Sequence, residues 1–445
     1  MSLNSAILID VLTVPLCGLV LARWASLRHS HPAVIYLAFH VVMFTIRAVG
    51  VSGGDPTFLG ATQLEIARAL NLADLALVAA TVGWVVAANG EQSARRVAKP
   101  KWLELSGNRI MAVGFVAIPV GLFTLARYAY IPGAVNPENV ATSTYSTLAI
   151  TWPSLIIGAL IYRYGFKIYL AFPMFALLSI MALQGHSRFR VVLPAILLIQ
   201  IYLDRKGKRW PGPKLVALLM VGLLLFFPLK TIGQETRAGS SVGEIVSAVQ
   251  TSLTDPLRGT SDGQGILDQL ALTLTLTDQH GKVFWGRPYL NVLVLPVPRS
   301  MWEEKPGLAD HIKEISTAGR PIGPVGAATT MVGDLYMNFR TFGVVLGTFI
   351  LGLISGRLFR RAYSSTYLSM YRFGYLLLAA STIQIARDGV ISILVFVLVQ
   401  SLPLVAIIAL HWRVLASKTS PSLRAVVDTR TISREVHNRS SDLGG

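Results

Sequence analysis

The run IARALNLADLALVAATVGWVVAA, Ile66–Ala88, contains only two charged residues, Arg68 and Asp74. A helix needs about 20 mainly apolar residues to cross a hydrocarbon core about 30 Å thick, and this run is long enough to do so. It therefore predicts a transmembrane helix.

Comparable runs recur along most of the 445 residues, which predicts an all-α, polytopic integral membrane protein. Only 14% of the residues are charged, whereas an ordinary soluble domain carries about 25%. We expect about eleven transmembrane helices, within a range of about ten to twelve. The predicted spans are Ala6–Ala22, Ala33–Val49, Ile66–Ala88, Ile110–Ala126, Leu148–Tyr162, Ile168–Leu183, Val191–Leu203, Leu215–Leu229, Phe342–Leu358, Tyr371–Ile385 and Val390–His411.

The positions of lysine and arginine predict the orientation, because cytoplasmic loops are enriched in them. Basic residues crowd the connections 95–109 and 205–214, the stretch 357–361 and the C-terminal tail. Eleven spans place all of these inside, with the N-terminus outside and the C-terminus inside. We interpret the net charge of +17 as a topology signal, not as a surface that binds nucleic acid.

This orientation divides the chain into four parts. Residues 1–230 hold about eight N-terminal spans, 231–336 form one large periplasmic loop, 337–412 hold about three C-terminal spans, and 413–445 form a cytoplasmic tail. The composition of the tail is typical of disorder. In the loop, Ser241–Leu253 and Ile266–Leu276 have helical patterns, and we expect them to lie on the membrane surface or to dip into it.

Cations also occur at the outer side of the spans, where loop enrichment does not explain them. Ionisable groups at membrane depth usually face a polar cavity or a partner. Together they predict an outward-facing pocket for an anion such as pyrophosphate, which suits the planar fork of arginine. Ion pairing, for example of Asp74 with Arg68 or of Asp388 with Arg387, is the alternative. The outer cations are Arg47, Arg68, Arg127, Arg188, Arg190, Lys230 and Arg387, and Asp10 and Asp74 lie in the outer halves of their spans.

Four stretches carry a resemblance to a known family by their order and spacing. They are GHSRFRVVLPAILLIQIYL (185–203), PLKTIGQETR (228–237), YLNVLVLPVPRSMWEEKPG (289–307) and GPVGAATTMVGDLYMNFRTFGVVLGTFILGLISGRLF (323–359). This set resembles the bacterial oligosaccharide repeat-unit polymerase family, the Wzy-type O-antigen and exopolysaccharide polymerases. Two positions depart from the family pattern: Asp334 stands where glutamate is expected, and Arg340 where glycine is common.

The resemblance implies a GT-C-like membrane glycosyltransferase at the periplasmic face of the bacterial cytoplasmic (inner) membrane. Such an enzyme moves a growing glycan from undecaprenyl pyrophosphate onto the sugar hydroxyl of another lipid-linked repeat unit. The expected partners are undecaprenyl-pyrophosphate-linked oligosaccharide, membrane lipids, a chain-length regulator and a flippase. We expect no cofactor, no metal and no nucleic acid.

This reaction needs cations to stabilise the pyrophosphate leaving group and a base for the acceptor hydroxyl. We predict Arg188 and Arg299 as pyrophosphate ligands, assisted by Lys305 and Arg320. The other predicted substrate-binding residues are Arg190, Lys230 and Tyr336, and the candidate catalytic groups are Asp334, Glu303 and His311.

Structural roles are the alternative for several of these residues. Arg190 could extend to the lipid head groups, and Asp334 could cap the helix that contains Phe342. Gly343, Gly347, Gly352 and Gly356 form two GxxxG pairs, which are typical of close helix packing.

Two other functions remain open at this point. An O-antigen ligase would use the same donor but deliver the glycan to a lipid A core, and it would also use a loop histidine such as His311. A transporter or flippase of lipid-linked sugars would spread its cations through the membrane depth, whereas here they collect at the outer edge. The sequence contains no GxxxxGK[ST], HExxH or CxxC motif, so ATP hydrolysis and zinc chemistry lack support.

Overall fold

The computed structural model describes most of the chain. The described residues are 1–25, 27–57, 60–89, 104–129, 149–183, 189–218, 239–254, 265–294, 301–307, 310–316, 329–365 and 367–411, with 221, 231, 232, 235, 236 and 297. The predicted tail, 413–445, and most of the predicted span Leu215–Leu229 lie outside this set.

The described chain is helical almost throughout. The helices are α1 (Leu3–Trp24), α2 (Pro32–Ser52), α3 (Gln63–Asn89), α4 (Gly107–Ala129), α5 (Trp152–Tyr164), α6 (Ile168–Leu183), α7 (Phe189–Arg205), α8 (Val242–Thr254), α9 (Ile266–His280), α10 (Arg287–Val294), α11 (Asp310–Ser316), α12 (Thr330–Ser364), α13 (Met370–Ala380), α14 (Thr382–Asp388) and α15 (Leu402–His411). A π-helical turn, Val41–Thr45, interrupts α2, and a second one, Ile393–Val397, precedes α15. The predicted spans other than Leu215–Leu229 lie mostly in helix where they are described, but Tyr371–Ile385 is divided at Ser381 between α13 and α14, and Val390–His411 is interrupted by a turn at Ser401.

Five helices of the described chain are long and apolar enough to cross a membrane: α1, α2, α3, α4 and α12. Their outward faces are apolar too. On α1, Leu12 is 64% exposed and Leu19 is 69% exposed, and on α4, Phe115 is 84% exposed. A helix of a soluble protein turns a polar face outward, so these exposed apolar faces indicate contact with lipid. The chain is therefore a helical membrane protein.

The centre of the fold is the contact between α3 and α12. A Cβ atom added at Gly352 would meet the backbone of Ala80, and one added at Gly83 would meet the backbone of Phe349. Close approach of two backbones is what small residues at a membrane helix interface allow. Of the two predicted GxxxG pairs, Gly352 and Gly356 confirm this interpretation.

The other GxxxG pair, Gly343 and Gly347, packs differently. A Cβ at Gly347 would meet the side chain of Leu335, and one at Gly343 would meet Phe339. Both contacts lie within α12 itself, across a break in the helix at Arg340. These two glycines therefore allow the first segment of α12 to fold back close to the second.

The direction of packing follows from which residues meet. Arg68 contacts Tyr336 at one end of α3, and Ala87 accepts a hydrogen bond from Arg360 at the other end. Residue numbers rise together along both helices, so α3 and α12 run parallel.

α9 lies in the protein core. Nearly all of its residues from Ile266 to Leu276 are buried, and the helix packs against α3 and α12. Arg47 of α2 fixes it with a bidentate ion pair, in which Nε and Nη2 donate to the two oxygens of Asp268 over 3.1 and 2.7 Å. Ile266–Leu276 is thus covered by other helices of the protein, and its depth relative to the membrane stays a prediction. Val242–Thr254 is mostly exposed, and its expected position at the membrane surface also stays a prediction.

Polar contacts collect at the two ends of the helices. At one end, Arg47 pairs with Asp268, and at the opposite end, Arg372 pairs with Asp204. We call these the Asp268 end and the Asp204 end. The Asp204 end also holds the exposed pair Arg163–Glu104, at 2.8 Å.

Replacing Gly352 by alanine tests the α3–α12 contact. The new methyl group would meet backbone, which cannot rotate away, so we expect Gly352→Ala to destabilise the fold by about 1–3 kcal/mol. The measurement is the unfolding temperature of detergent-solubilised protein. Gly18→Ala is the control, since a Cβ at Gly18 has nothing within 4 Å. An equal response to the two substitutions would contradict the packing described.

Candidate functional site

Two arginines converge on one aspartate and one tyrosine at the Asp268 end. Arg68 Nη2 of α3 lies 2.5 Å from Asp278 Oδ2 and donates to the Tyr336 hydroxyl over 2.8 Å. Arg340 Nη1 donates to Asp278 Oδ1 over 2.6 Å, and the Tyr336 hydroxyl donates to the same oxygen over 2.7 Å. We call Arg68, Asp278, Tyr336 and Arg340 the arginine cluster.

The arginine cluster is positively charged and partly open. It sets two guanidinium groups against one carboxylate. The side chains of Arg68 and Arg340 are 49% and 27% exposed, respectively. Both guanidinium groups flank the ring of Tyr336, at 5.9 and 5.5 Å from its centroid, a distance at which a cation is attracted to an aromatic face. Among the described residues, Arg68 makes its contacts with Asp278 and Tyr336 through Nη2, while about half of its side chain stays exposed.

The backbone of Arg340 explains how α12 brings its side chain there. Arg340 has φ 58° and ψ −157°, which breaks the helix. A continuous helix would use the carbonyls of Met337 and Asn338 for its own next turn. Here they accept from the amides of Phe284 and Trp285 instead, each over 3.2 Å.

A conformation this strained costs about 1–3 kcal/mol for a residue with a side chain, and it persists only where the surroundings hold it. Three acceptors hold Arg340: Asp278, the carbonyl of Thr277 at 3.0 Å and the carbonyl of Lys282 at 3.2 Å. The positive φ of Arg340 is a conformation that glycine adopts without strain. Arginine at a position suited to glycine indicates a use for its side chain.

Asp334, a predicted catalytic residue, is buried, with 1% of its surface exposed. Its Oδ2 accepts from the amides of Val390 at 2.7 Å and Ile391 at 3.3 Å, while Oδ1 accepts from Asn338 Nδ2 at 3.0 Å. These are the contacts of a helix cap. The suggestion that Asp334 caps the helix containing Phe342 is therefore wrong: Asp334 lies within α12, and it caps the helical stretch that begins after Gly389 and includes the π-helical turn Ile393–Val397. Its catalytic role stays a prediction.

Tyr336, a predicted substrate-binding residue, belongs to the arginine cluster. It lies two residues after Asp334 in the segment of α12 before the break. Its ring is largely buried, and its hydroxyl meets Arg68 and Asp278.

The predicted residues of the loop lie in two short segments. Glu303 is exposed, and Lys305 Nζ donates to the Val297 carbonyl over 2.7 Å. His311 of α11 is mostly buried, with its ring edge towards Phe284 at 5.8 Å between centroids. It lines a cavity of about 40 Å³.

Lys282 links α11 to the arginine cluster. Its Nζ donates to Glu314 Oε1 of α11 over 2.7 Å, while its carbonyl accepts from Arg340. The ammonium group holds the pKa of Glu314 below its ordinary value.

Several predicted residues, or their side chains, lie outside the part of the chain that the structure describes. Arg188, Arg299, Arg320 and Lys230 lie outside the described residues, as does the side chain of Arg127. Arg190 lies near the start of α7 and is half-buried.

Two suggested ion pairs have different outcomes. Arg387 does lie 3.3 Å from Asp388. The pairing of Asp74 with Arg68 is wrong, because Arg68 binds Asp278 and Asp74 lies beside His40. A separation of six residues places the two side chains about 120° apart around a helix, so they face different neighbours.

Asp278 and Arg340 were not among the predicted site residues. The signal available in the sequence for Arg340 is that arginine stands where glycine is common in the family that the sequence resembles. Asp278 is one of many acidic residues in the loop, and nothing in its local sequence separates it from the others.

Comparison with protein-family models, curated proteins and solved structures finds no match to this chain.

Substitution at Arg340 tests the strained backbone. Glycine in a helix interior is normally about 1 kcal/mol less stable than alanine. At Arg340 the order should reverse, because glycine adopts φ 58° without strain, so Arg340→Gly should unfold at a higher temperature than Arg340→Ala. Arg361, an exposed arginine of the same helix with ordinary backbone angles, provides the control pair of Gly and Ala variants. The same order at both positions would contradict the strain.

Proposed function

We propose that this protein polymerises undecaprenyl-pyrophosphate-linked oligosaccharide repeat units at the periplasmic face of the bacterial inner membrane. It would break the bond between the growing glycan and its pyrophosphate carrier and form a glycosidic bond to the acceptor sugar hydroxyl. The acceptor's proton goes to a base, and the carrier leaves as undecaprenyl pyrophosphate. The motif order in residues 185–359 is the sequence basis of the proposal.

The arginine cluster is the observation that carries the proposal. Charge grows on the pyrophosphate as the glycosidic bond breaks, and fixed cations stabilise it most where they are already positioned. Arg68 and Arg340 come from different helices, are partly exposed and are held by Asp278 and Tyr336. We add them to the predicted pyrophosphate ligands Arg188 and Arg299. Lys305, Arg320, Arg190 and Lys230 keep their predicted roles.

For the acceptor hydroxyl, we propose Glu303 as the base. Of the three predicted groups, its side chain is the exposed one, whereas Asp334 and His311 are mostly buried. A base must come within hydrogen-bond distance of the acceptor hydroxyl, and an exposed carboxylate in the loop can do so.

An apolar cavity of about 320 Å³ lies between the helices of the fold. Tyr36, Trp84, Leu351 and Ile385 are among the residues that line it. Such a lining suits a hydrocarbon chain. We assign it to the prenyl tail of the lipid-linked substrate.

The proposed topology has eleven spans, with the N-terminus outside and the C-terminus inside. The parallel packing of α3 and α12 supports it, since two parallel spans must be separated by an odd number of crossings. Four helices that can serve as crossings, α4 to α7, lie between them in the described chain, and Leu215–Leu229 would supply the fifth. The Asp268 end, with the arginine cluster, is then periplasmic.

A fusion experiment tests this topology. A reporter that is active only in the periplasm should be active when fused after Gly265 or after Gly307, because both positions belong to the outer loop. A fusion after Lys206 should be inactive, since that loop is basic. Cytoplasmic behaviour of either outer fusion would contradict the topology.

A reconstituted reaction tests the activity. Purified protein with a synthetic undecaprenyl-pyrophosphate repeat unit and nothing else should give a ladder of longer glycans. Arg68→Ala should lower the rate by about 100-fold or more, because it removes a donor to the leaving group. Arg68→Lys should also be slow, since lysine lacks the bidentate fork.

Arg163→Ala is the matched control, because it removes an arginine from an exposed ion pair at the opposite end. Full activity in Arg68→Ala would remove the arginine cluster from the mechanism. Absence of a ladder, with movement of the substrate across vesicle membranes, would favour a flippase.

A further inference from the structure

Three ionisable side chains meet inside the helices, away from the arginine cluster. Asp10 of α1, His40 of α2 and Asp74 of α3 are 0%, 0% and 4% exposed. His40 Nε2 lies 2.8 Å from Asp10 Oδ1 and 3.2 Å from Asp74 Oδ1. We call these three residues the buried triad.

The charges of the buried triad do not balance within the described chain. No lysine or arginine among the described residues pairs with Asp10 or Asp74. One N–H on His40 Nε2 cannot satisfy two carboxylates, and the contact with Asp74 lacks hydrogen-bond geometry. With both carboxyls ionised, the buried triad carries a net negative charge in either state of the ring, and an uncompensated buried charge is costly.

Several polar atoms of the buried triad also lack partners. Asp10 Oδ2, both oxygens of Asp74 and His40 Nδ1 are enclosed and make no hydrogen bond. Buried polar groups are normally hydrogen bonded, so the unpartnered carboxylate oxygens of Asp10 and Asp74 beside His40 Nε2 argue for a bound ligand there. The donor types are two carboxylate oxygens and an imidazole nitrogen, which all bind cations.

We propose that Asp10, His40 and Asp74 bind one divalent transition-metal ion. Two carboxylates and a neutral imidazole carry a charge of −2, which such an ion cancels. With bonds of about 2.1 Å, two ligands at a right angle lie about 3.0 Å apart. The two nitrogen–oxygen distances, 2.8 and 3.2 Å, bracket this value, and one ligand atom from each residue lies within 4.8 Å of the others.

The local structure holds the imidazole in place. The ring of Phe44 meets that of His40 edge-on, with centroids 5.2 Å apart. The π-helical turn Val41–Thr45 follows His40 directly, and such turns occur frequently at functional sites. The imidazole suits zinc or iron, and the two carboxylates also suit manganese, whereas magnesium and calcium prefer oxygen ligands alone.

The metal would fasten three helices without touching the substrate. Asp74 and Arg68 both belong to α3, about 9 Å apart along its axis and on different faces. The buried triad is thus separate from the arginine cluster, and this proposal does not rest on the proposed function.

Metal analysis of the purified full-length protein tests the site. Cells are grown with added Zn²⁺ and Mn²⁺, any affinity tag is removed, and the metal content is measured after dialysis. We expect about one ion per chain, since three ligands from one chain make one site. Asp10→Asn, His40→Ala and Asp74→Asn should each lower the affinity by at least about 100-fold, because even losing an outer-shell partner costs 10–100-fold.

His29→Ala is the control for loss of a histidine. His29 lies just before the start of α2, away from the buried triad, and contacts the Arg209 carbonyl. It should keep the metal. Wild-type protein without metal, or metal retained in all three triad variants, would overturn the proposal.

A measurement on wild-type protein covers the case in which the variants do not fold. Pulsed electron paramagnetic resonance of Mn²⁺-loaded protein should show coupling to the nitrogen of one imidazole. Bound Mn²⁺ with no nitrogen coupling would exclude His40 as a ligand and overturn the site.

Discussion

The break in α12 at Arg340 is the constraint on which the candidate site depends. A helix that continued through Arg340 would keep the carbonyls of Met337 and Asn338 for itself. The break releases them to the amides of Phe284 and Trp285, so the loop is fastened to the membrane helix by main-chain hydrogen bonds. In a low-dielectric setting, released carbonyls need such partners. The same break directs the guanidinium group of Arg340 to Asp278.

Close packing below the break makes the arrangement rigid. α3 and α12 approach through Gly83 and Gly352, so Arg68 and Tyr336 are carried by two helices whose separation is set by backbone contact. Asp278 is carried by α9, which the bidentate pair of Arg47 with Asp268 anchors to α2. Preorganised cations of this kind need little reorganisation when an anion binds.

Hydropathy predicted the helices well, because the length of an apolar run is a local property. It could not predict where Ile266–Leu276 lies, since an apolar helix has the same sequence pattern against protein or against lipid. Sequence spacing could have excluded the pair Arg68–Asp74, which faces different sides of one helix. The contacts of Asp278 with Arg68, and of Asp10 with His40 and Asp74, join residues distant in sequence. Local sequence motifs do not predict contacts between such distant residues, and the spacing of the buried triad matches no metal-binding motif.

Asp334 connects the site mechanically to the C-terminal part of the chain. Its carboxylate holds the amides of Val390 and Ile391, and Tyr336, two residues away, is held by Arg68. The short segment between Thr330 and the break is therefore held at two points, by Asp334 to the stretch after Gly389 and by Tyr336 to α3. An anion bound by the two guanidinium groups, as the proposed function requires, would compete with Asp278 for them and so act on one of these two contacts. Binding at the arginine cluster and the packing of the final helices thus depend on the same short segment of chain.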